Sequence, residues 1–501
     1  MIVKKTFVRL FPVAAVFVFC LTIFAARCEG CFSIIAGKDA SVDGYVMMAH
    51  NEDDGPPQVV NHYKVPRKKH SPGEKVKLLN GGQLAQVEQT WAYLWSQMPG
   101  MLFSDSYINE WGVSITSDNC PSREDKPKIT NGGIGYMLRR LVAERAKTAR
   151  EGVLLNGRLV EQFGYIDSGR TYIICDPDEG RLFCVVNGKH WLAKRVADAE
   201  VAMVANTFTV HQVDLSDKDN FLASKDIIKY AVSRSWFNPK ENKPFDFAAV
   251  YSNPKSASDF SNFGRQWSGL RYVAAEPIPL GPKLPFSVVP QHKVSVAEIM
   301  QILRHDYKGA QTQSLSPLRS PQEGGCPICS GATQTSFVVQ LRRGMPLDIG
   351  IVYWTCLASP RTSFYIPFHF GISDFPAGFS SISQRPSNKF YDGKLSSPFK
   401  ADPLQAFWTF SNFRNKVHND SAKTITRVKA QAEEIEDNAL AIQRPLEEAA
   451  CRLYTEDKTA AMQILANYSK GIYLSSLEAM DRALSAAIGK RTLGGVETGT
   501  P

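Results

Sequence analysis

After the apolar run Phe11–Ala26 the chain has no second hydrophobic stretch long enough to cross a bilayer, which takes about 20 residues, so no stable membrane span is expected beyond it. It has no concentrated basic stripe. The net charge of +9 is spread over 501 residues, and the first thirty carry +3 of it, with Lys4, Lys5, Arg9 and Arg27 against Glu29. The remaining +6 is mild for a chain of this size, and no nucleic-acid module is recognisable, so no nucleic-acid partner is expected. Histidine is scarce, at nine residues, and no His/Cys cluster stands at metal-ligand spacing. Neither a metal nor another cofactor is expected. There is no internal repeat, and helices do not alternate regularly with strands.

What is present begins with a segment that reads as a secretion signal: a basic start, the apolar run, then Cys28-Glu29-Gly30 with small residues at the −3 and −1 positions of a cut before Cys31. Cleavage there would make Cys31 the first residue and give it a free α-amine beside its thiol, a nucleophile and a base on one residue. A cut after Ala26 and a lipid-modified Cys31 are the competing readings. Export implies conditions in which cysteines can pair, and eight remain beyond residue 30: Cys31, Cys120, Cys175, Cys184, Cys326, Cys329, Cys356 and Cys451. Cys326-Pro-Ile-Cys329 is the close pair. It lies in a Gly/Ser/Pro-rich loop, Ser314 to Ala332, which favours a structural disulfide or ordinary loop cysteines over a redox or metal motif.

At 44% hydrophobic and 21% charged, the chain can bury a large core. Cys31–Ala36 and Tyr45–Ala49 read as a hairpin, with the nucleophile at its start. Strands are also expected at Val87–Trp95, at Tyr107–Ile115 after a turn, at Thr171–Cys175 and Leu182–Val186 around the Asp176–Gly180 turn, and at Val201–Ala205, Ser336–Leu341 and Gly350–Thr355. Tyr365–Gly371 reads as an edge or irregular position because of Pro367. Helices are expected over Ile134–Lys147, Ala149–Phe163 with a break at Gly157, Asp226–Trp236 and Val294–Arg304. From about Asp402 onward the composition becomes Ala/Leu/Glu/Lys-rich, giving two to four helices interrupted at Pro445. Blocks of this kind favour a layered α+β fold with largely antiparallel sheets. Asn419-Asp-Ser421 and Asn467-Tyr-Ser469 are glycosylation sequons.

Several separated motifs resemble the cysteine dipeptidase family typified by dipeptidase A, to which the secernins are related and which belongs to the N-terminal-nucleophile hydrolases. Cys31–Gly44 is similar to that family's opening Cys-x-x-Ile-x-x-Gly-Lys-x-Ala-Ser-x-Asp-Gly. His50-Asn-Glu-Asp53 stands where the family reads Arg-Asn-Glu-Asp. Ile108-Asn-Glu-Trp-Gly-Val113, Lys189-His-Trp191, Val204-Ala-Asn206, Ile328-Cys329 and Gly350-Ile-Val-Tyr-Trp354 follow in order.

The resemblance implies a four-layer αββα sandwich over residues 31–400, preceded by a signal peptide at 1–30 and followed by helices over 401–501 that pack on it. It implies hydrolysis of small peptides through a thioester on Cys31, without a cofactor. Asp53 would orient the α-amine, Asn206 would donate to the oxyanion, and Asn109, or backbone N–H groups beside it, would complete that hole. His50 departs from the family's Arg, and the expectation is that a protonated His50 replaces that cation. An amidase acting on non-peptide acyl amides, as in the penicillin V acylase and bile salt hydrolase relatives, is the alternative within this chemistry. A non-catalytic exported binding protein or lipoprotein is the alternative outside it. Homo-oligomerisation stays open.

Overall fold

A computed structural model describes residues 30–53, 59–99, 104–306, 327–380, 401–418 and 422–493. The signal segment up to residue 29, Cys326 and the first sequon lie outside them. No helix among the described residues is long and apolar enough to cross a membrane.

Two antiparallel sheets dominate. In spatial order, one runs Ser287–Val288, Val201–Val204, Phe32–Ala36, Val46–Asp53, Thr333–Leu341, Ile351–Leu357 and Ile366–His369. The other has eight strands, from Phe221–Ala223 through Trp191–Arg195, Gly180–Gly188, Tyr165–Cys175, Ser114–Asn119, Ser106–Asn109 and Tyr93–Gln97 to Asn61–Val65. The expected hairpin is therefore real, with Ser33 opposite His50 and Phe32 opposite Asn51. Pro367 sits on the outermost strand, where a missing N–H costs no ladder bond to a further neighbour.

Both central strands are buried on both faces, and the two-residue period of a strand sorts their side chains. Phe32, Ile34, Met47 and Ala49 pack outward against Trp267 and Leu270 of helix Phe260–Val273 and Ile299 and Met300 of helix Val296–Leu303. Ile35, Val46 and Met48 pack inward against Ile173, Leu182 and Cys184 of the second sheet. The far face of that sheet carries Ile115, Tyr172, Ile174 and Phe183 under helices Met137–Arg145 and Ala149–Phe163. Helix, sheet, sheet and helix form the expected four layers, and the α+β assignment holds.

Two expected interruptions are absent. Ala149–Phe163 runs straight through Gly157. A Cβ there would stand 2.3 Å from the Trp191 ring, so this glycine makes room for an indole and breaks nothing. Pro445 lies inside the helix Ala422–Tyr454. A mid-helix proline costs about 3 kcal/mol, and burial along the helix outweighs it. Glu436 of that helix bonds Arg304 at 2.5 and 2.7 Å and the Tyr365 N–H at 2.7 Å. Glu447 bonds Arg342 at 2.5 and 2.6 Å and His369 at 2.7 Å. Helices Ala406–His418 and Lys458–Leu493 complete the tail. Among the described residues no cysteines are bridged: Cys31, Cys120, Cys175, Cys184, Cys329, Cys356 and Cys451 carry free thiols.

Candidate active site

Cys31 immediately precedes the strand Phe32–Ala36, and strand parity gives it the same side as Ser33 and Ile35, toward the second sheet. In the neighbouring strand the same parity brings His50 and Glu52 to that side. The Cys31 thiol is buried and donates to Glu52 Oε1 at 3.4 Å and, more distantly, to the Asp53 carbonyl at 3.8 Å. His50 Nδ1 pairs with the Ser33 hydroxyl at 2.8 Å, and its Nε2 lies 3.1 Å from Glu52 Oε2 and 3.7 Å from Asp105 Oδ1. Ser33 also donates to Asp118 Oδ2 at 2.5 Å. One imidazole and three carboxylates thus share a buried layer behind Cys31.

Their ionisation follows from that crowding. Burial, then the Glu52 and Asp118 charges, push the Cys31 thiol well up, so it is a poor spontaneous thiolate. Burial alone would lower His50, but the Glu52 hydrogen bond and the Asp118 charge outweigh it and hold the imidazole above its ordinary value. Burial pushes Glu52 up, yet its bond and charge contact with His50, then Arg139 and Arg170, bring it below the usual carboxyl range. Asp105 and Asp118, desolvated and facing Glu52, rise to about 7 and about 6.

The sequence-derived site residues separate into two groups. Cys31 and His50 come together. Asp53 is beside them through its backbone, but its carboxylate takes hydroxyl bonds from Ser330 at 2.5 Å and Thr333 at 2.6 Å, and burial raises it to about 7. Asn206, just past the strand Val201–Val204, has φ 55° and lies against Gly30. Its Oδ1 accepts from Arg265 Nη2 at 2.8 Å and its Nδ2 donates to the Asn119 carbonyl at 2.9 Å, which uses one of that amide's two hydrogens.

Asn109 is a correction. Its Nδ2 donates to the Ala143 and Ala146 carbonyls at 3.0 and 2.8 Å, and its Oδ1 accepts from the Trp111 and Val113 N–H groups at 3.0 and 2.9 Å. All four hydrogen-bonding positions of the amide are used to lock a turn to the end of helix Met137–Arg145, and no donor is left for an oxyanion.

Two residues escaped the sequence reading. Glu52 stood inside the His50–Asp53 motif, and strand parity alone would have put it beside His50. Arg265 had no local signal. It lies on helix Phe260–Val273, where its Nη1 donates to the carbonyls of Gly30 and Cys31 at 2.6 and 2.7 Å. Cys31, His50 and Glu52 also place three ligand-type atoms within 4.8 Å of one another. The linear spacing concealed this group, which has donors of the kinds zinc takes; the His50–Glu52 bond already engages two of the three.

A cysteine at the head of a strand, backed by buried acid–base groups between two antiparallel sheets with helices outside both, is the layout of a cysteine hydrolase of the N-terminal-nucleophile fold. The profile of Peptidase family C69 matches residues 30–417, and the chain belongs to that family of cysteine-type dipeptidases. It is 24% identical over 457 residues to a probable dipeptidase B of Streptococcus pyogenes serotype M1, covering 86% of this chain and 87% of that protein. It is 26% identical over 371 residues to a probable dipeptidase of Latilactobacillus sakei, covering 71% and 77%. Among solved structures, penicillin V acylase from Agrobacterium tumefaciens aligns with a TM-score of 0.34 at 10% identity, over 70% of this chain and 88% of that one. A mutant conjugated bile acid hydrolase from Clostridium perfringens aligns with a TM-score of 0.34 at 11% identity, over 68% and 92%.

Asn109→Ala is expected to cost stability, since it leaves several buried backbone groups unpaired at about 1–3 kcal/mol each, while kcat of the folded enzyme stays within a few-fold of wild type. Denaturant unfolding and steady-state kinetics on the same preparation check both halves.

Proposed function

We propose that the protein is an exported dipeptidase whose signal segment is removed before Cys31, and that it cleaves dipeptides through a thioester. The observation that carries this reading is the Cys31 thiol buried against Glu52 at 3.4 Å, directly after Gly30. A thiol held in its protonated form needs a base, and the α-amine exposed by cleavage supplies one, with an unperturbed pKa of about 7.7–8. The amine takes the thiol proton as sulfur attacks the peptide carbonyl. The tetrahedral intermediate collapses when the amine returns that proton to the leaving amino acid, and water then hydrolyses the thioester. The second Nδ2 hydrogen of Asn206 suits the oxyanion, and Arg265 fixes the Asn206 amide from its oxygen side. Asp53, set in place by Ser330 and Thr333, orients the α-amine.

Mass spectrometry of the secreted protein should therefore find Cys31 as the first residue, with dipeptide hydrolysis abolished in Cys31→Ala. Turnover by Cys31→Ala equal to wild type would sink the mechanism.

If Asn206 donates to the oxyanion, Asn206→Ala should lower kcat by about 100- to 1,000-fold with little change in KM, since removing one such donor has that typical effect. A folded variant with unchanged kcat removes Asn206 from the chemistry.

His50 sets the alkaline side. The amine must be neutral to act as base, so activity rises with pH. The imidazolium, held above its ordinary value by Glu52 and Asp118, must stay charged to favour negative sulfur and oxygen, so its contribution is lost as pH rises through the folded pKa. A narrow bell in kcat/KM is expected. His50→Arg, charged throughout, should retain activity and lift the alkaline limb; superimposable profiles would leave His50 no electrostatic role.

A further inference from the structure

We propose that Glu52 is the anchor for the free amino group of the substrate, the feature that makes this site select peptides with an unblocked N-terminus. The inference rests on the dipeptidase reading and assigns its specificity to one side chain. In a dipeptide the α-ammonium is one carbon removed from the carbonyl that sulfur attacks. Its anchor must therefore lie within a few ångströms of Cys31 Sγ. Among the described residues, Glu52 is the acidic side chain that hydrogen-bonds the thiol, at 3.4 Å. The Asp53 carboxylate, bonded by Ser330 and Thr333, is assigned in the proposed mechanism to the α-amine of Cys31.

The two oxygens of Glu52 have different surroundings. Oε2 is tied to His50 Nε2 at 3.1 Å. Oε1 has the Cys31 thiol as its hydrogen-bond donor among the described residues, and that proton leaves in the first chemical step. From then on a carboxylate oxygen and a sulfur anion face each other in a buried layer. A carboxylate in this place opposes the nucleophile it touches, because its charge disfavours the thiolate. A group that opposes the chemistry of the bare site is accounted for when the substrate brings the matching cation. An ammonium bonded to Oε1 replaces the departed proton as donor and cancels the charge that held the thiol protonated. The nucleophile is then activated only when the right substrate is bound.

A second buried acceptor points to the same ligand. Asp118 takes the Ser33 hydroxyl on Oδ2, while its Oδ1 has no hydrogen-bond partner among the described residues. Asp118 is fully buried and close enough to Cys31 for its charge to be felt there. Buried carboxylate oxygens are ordinarily paired, and an ammonium has three N–H groups to distribute.

The test compares L-alanyl-L-alanine with propionyl-L-alanine, which has the same skeleton without the α-amino group, on the mature enzyme. Wild type should prefer the dipeptide by at least about 100-fold in kcat/KM, since a site built for a buried polar group rejects the analogue that lacks it. Glu52→Gln should lose at least about 100-fold more in kcat/KM on the dipeptide than on propionyl-alanine, so the preference collapses whatever happens to the common rate. Glu52→Asp, which keeps the charge but withdraws it by one methylene, should fall between them. Equal wild-type rates on both substrates overturn the anchor without any variant. So does a Gln or Asp variant that keeps the wild-type ratio, including one that loses both activities in equal proportion. A wild type that cleaves propionyl-alanine and no dipeptide fails the dipeptidase reading itself, which is a different result from a dipeptidase whose preference survives Glu52→Gln.

Discussion

The contact between His50 and Glu52 organises the buried charge around Cys31. Ionised side chains in a buried layer are tolerated only when each has a partner, because an isolated buried charge costs many kcal/mol. Two unit charges about 4 Å apart are worth about 4 kcal/mol at an effective dielectric constant of 20. The His50–Glu52 pair sits at 3.1 Å and is 4% exposed or less. Burial first, and the neighbouring Glu52 charge after it, raise Asp105 and Asp118 to about 7 and about 6. Arg139 and Arg170 add positive charge to that of the imidazole on the side of Glu52. Cys31 stands at the edge of that cluster, bonded to Glu52.

The layers around the centre are apolar, and they keep water out of it. The inward set of Ile35, Val46 and Met48 continues into the second sheet, while the outward set seals the nucleophile strand under two helices. The C-terminal helices are joined to the first sheet's neighbourhood by charge as well as by packing. Glu436 reaches Arg304, and Glu447 reaches both Arg342 and His369. Removing one partner of such a buried pair typically costs about 3–5 kcal/mol, because the other charge stays behind. Those helices are therefore part of the same folded body as the strands that carry Cys31 and Glu52.

Local pattern made most strands legible in the sequence. The hairpin of Phe32–Ala36 and Val46–Asp53, the turn at Asp176–Gly180 and the edge position of Pro367 all depend on near neighbours in the chain, which periodicity and turn chemistry report. What was illegible depended on residues distant in sequence. Gly157 looked like a helix break because nothing local says that the Trp191 ring occupies the place of its Cβ. Pro445 looked like a stop because the packing that offsets it comes from other elements. Asn109 matched a motif whose letters do not tell whether an amide faces a substrate or staples a turn. Arg265 stands 234 positions from the carbonyl it holds, and no spacing rule reaches that far. Glu52 is the instructive case: it was in view, and a count of two from His50 would have put both on one face of the strand.

The residue just before the nucleophile carries a constraint of its own. A Cβ on Gly30 would come within 2.4 Å of Asn206 Oδ1 and 2.6 Å of Arg265 Nη2, closer than atoms approach. A side chain at position 30 would therefore have to displace the ends of both residues. Even alanine or serine there would push against the Asn206–Arg265 pair. Glycine at 30 thus leaves Arg265 free to hold the Gly30 and Cys31 carbonyls and the Asn206 amide at once.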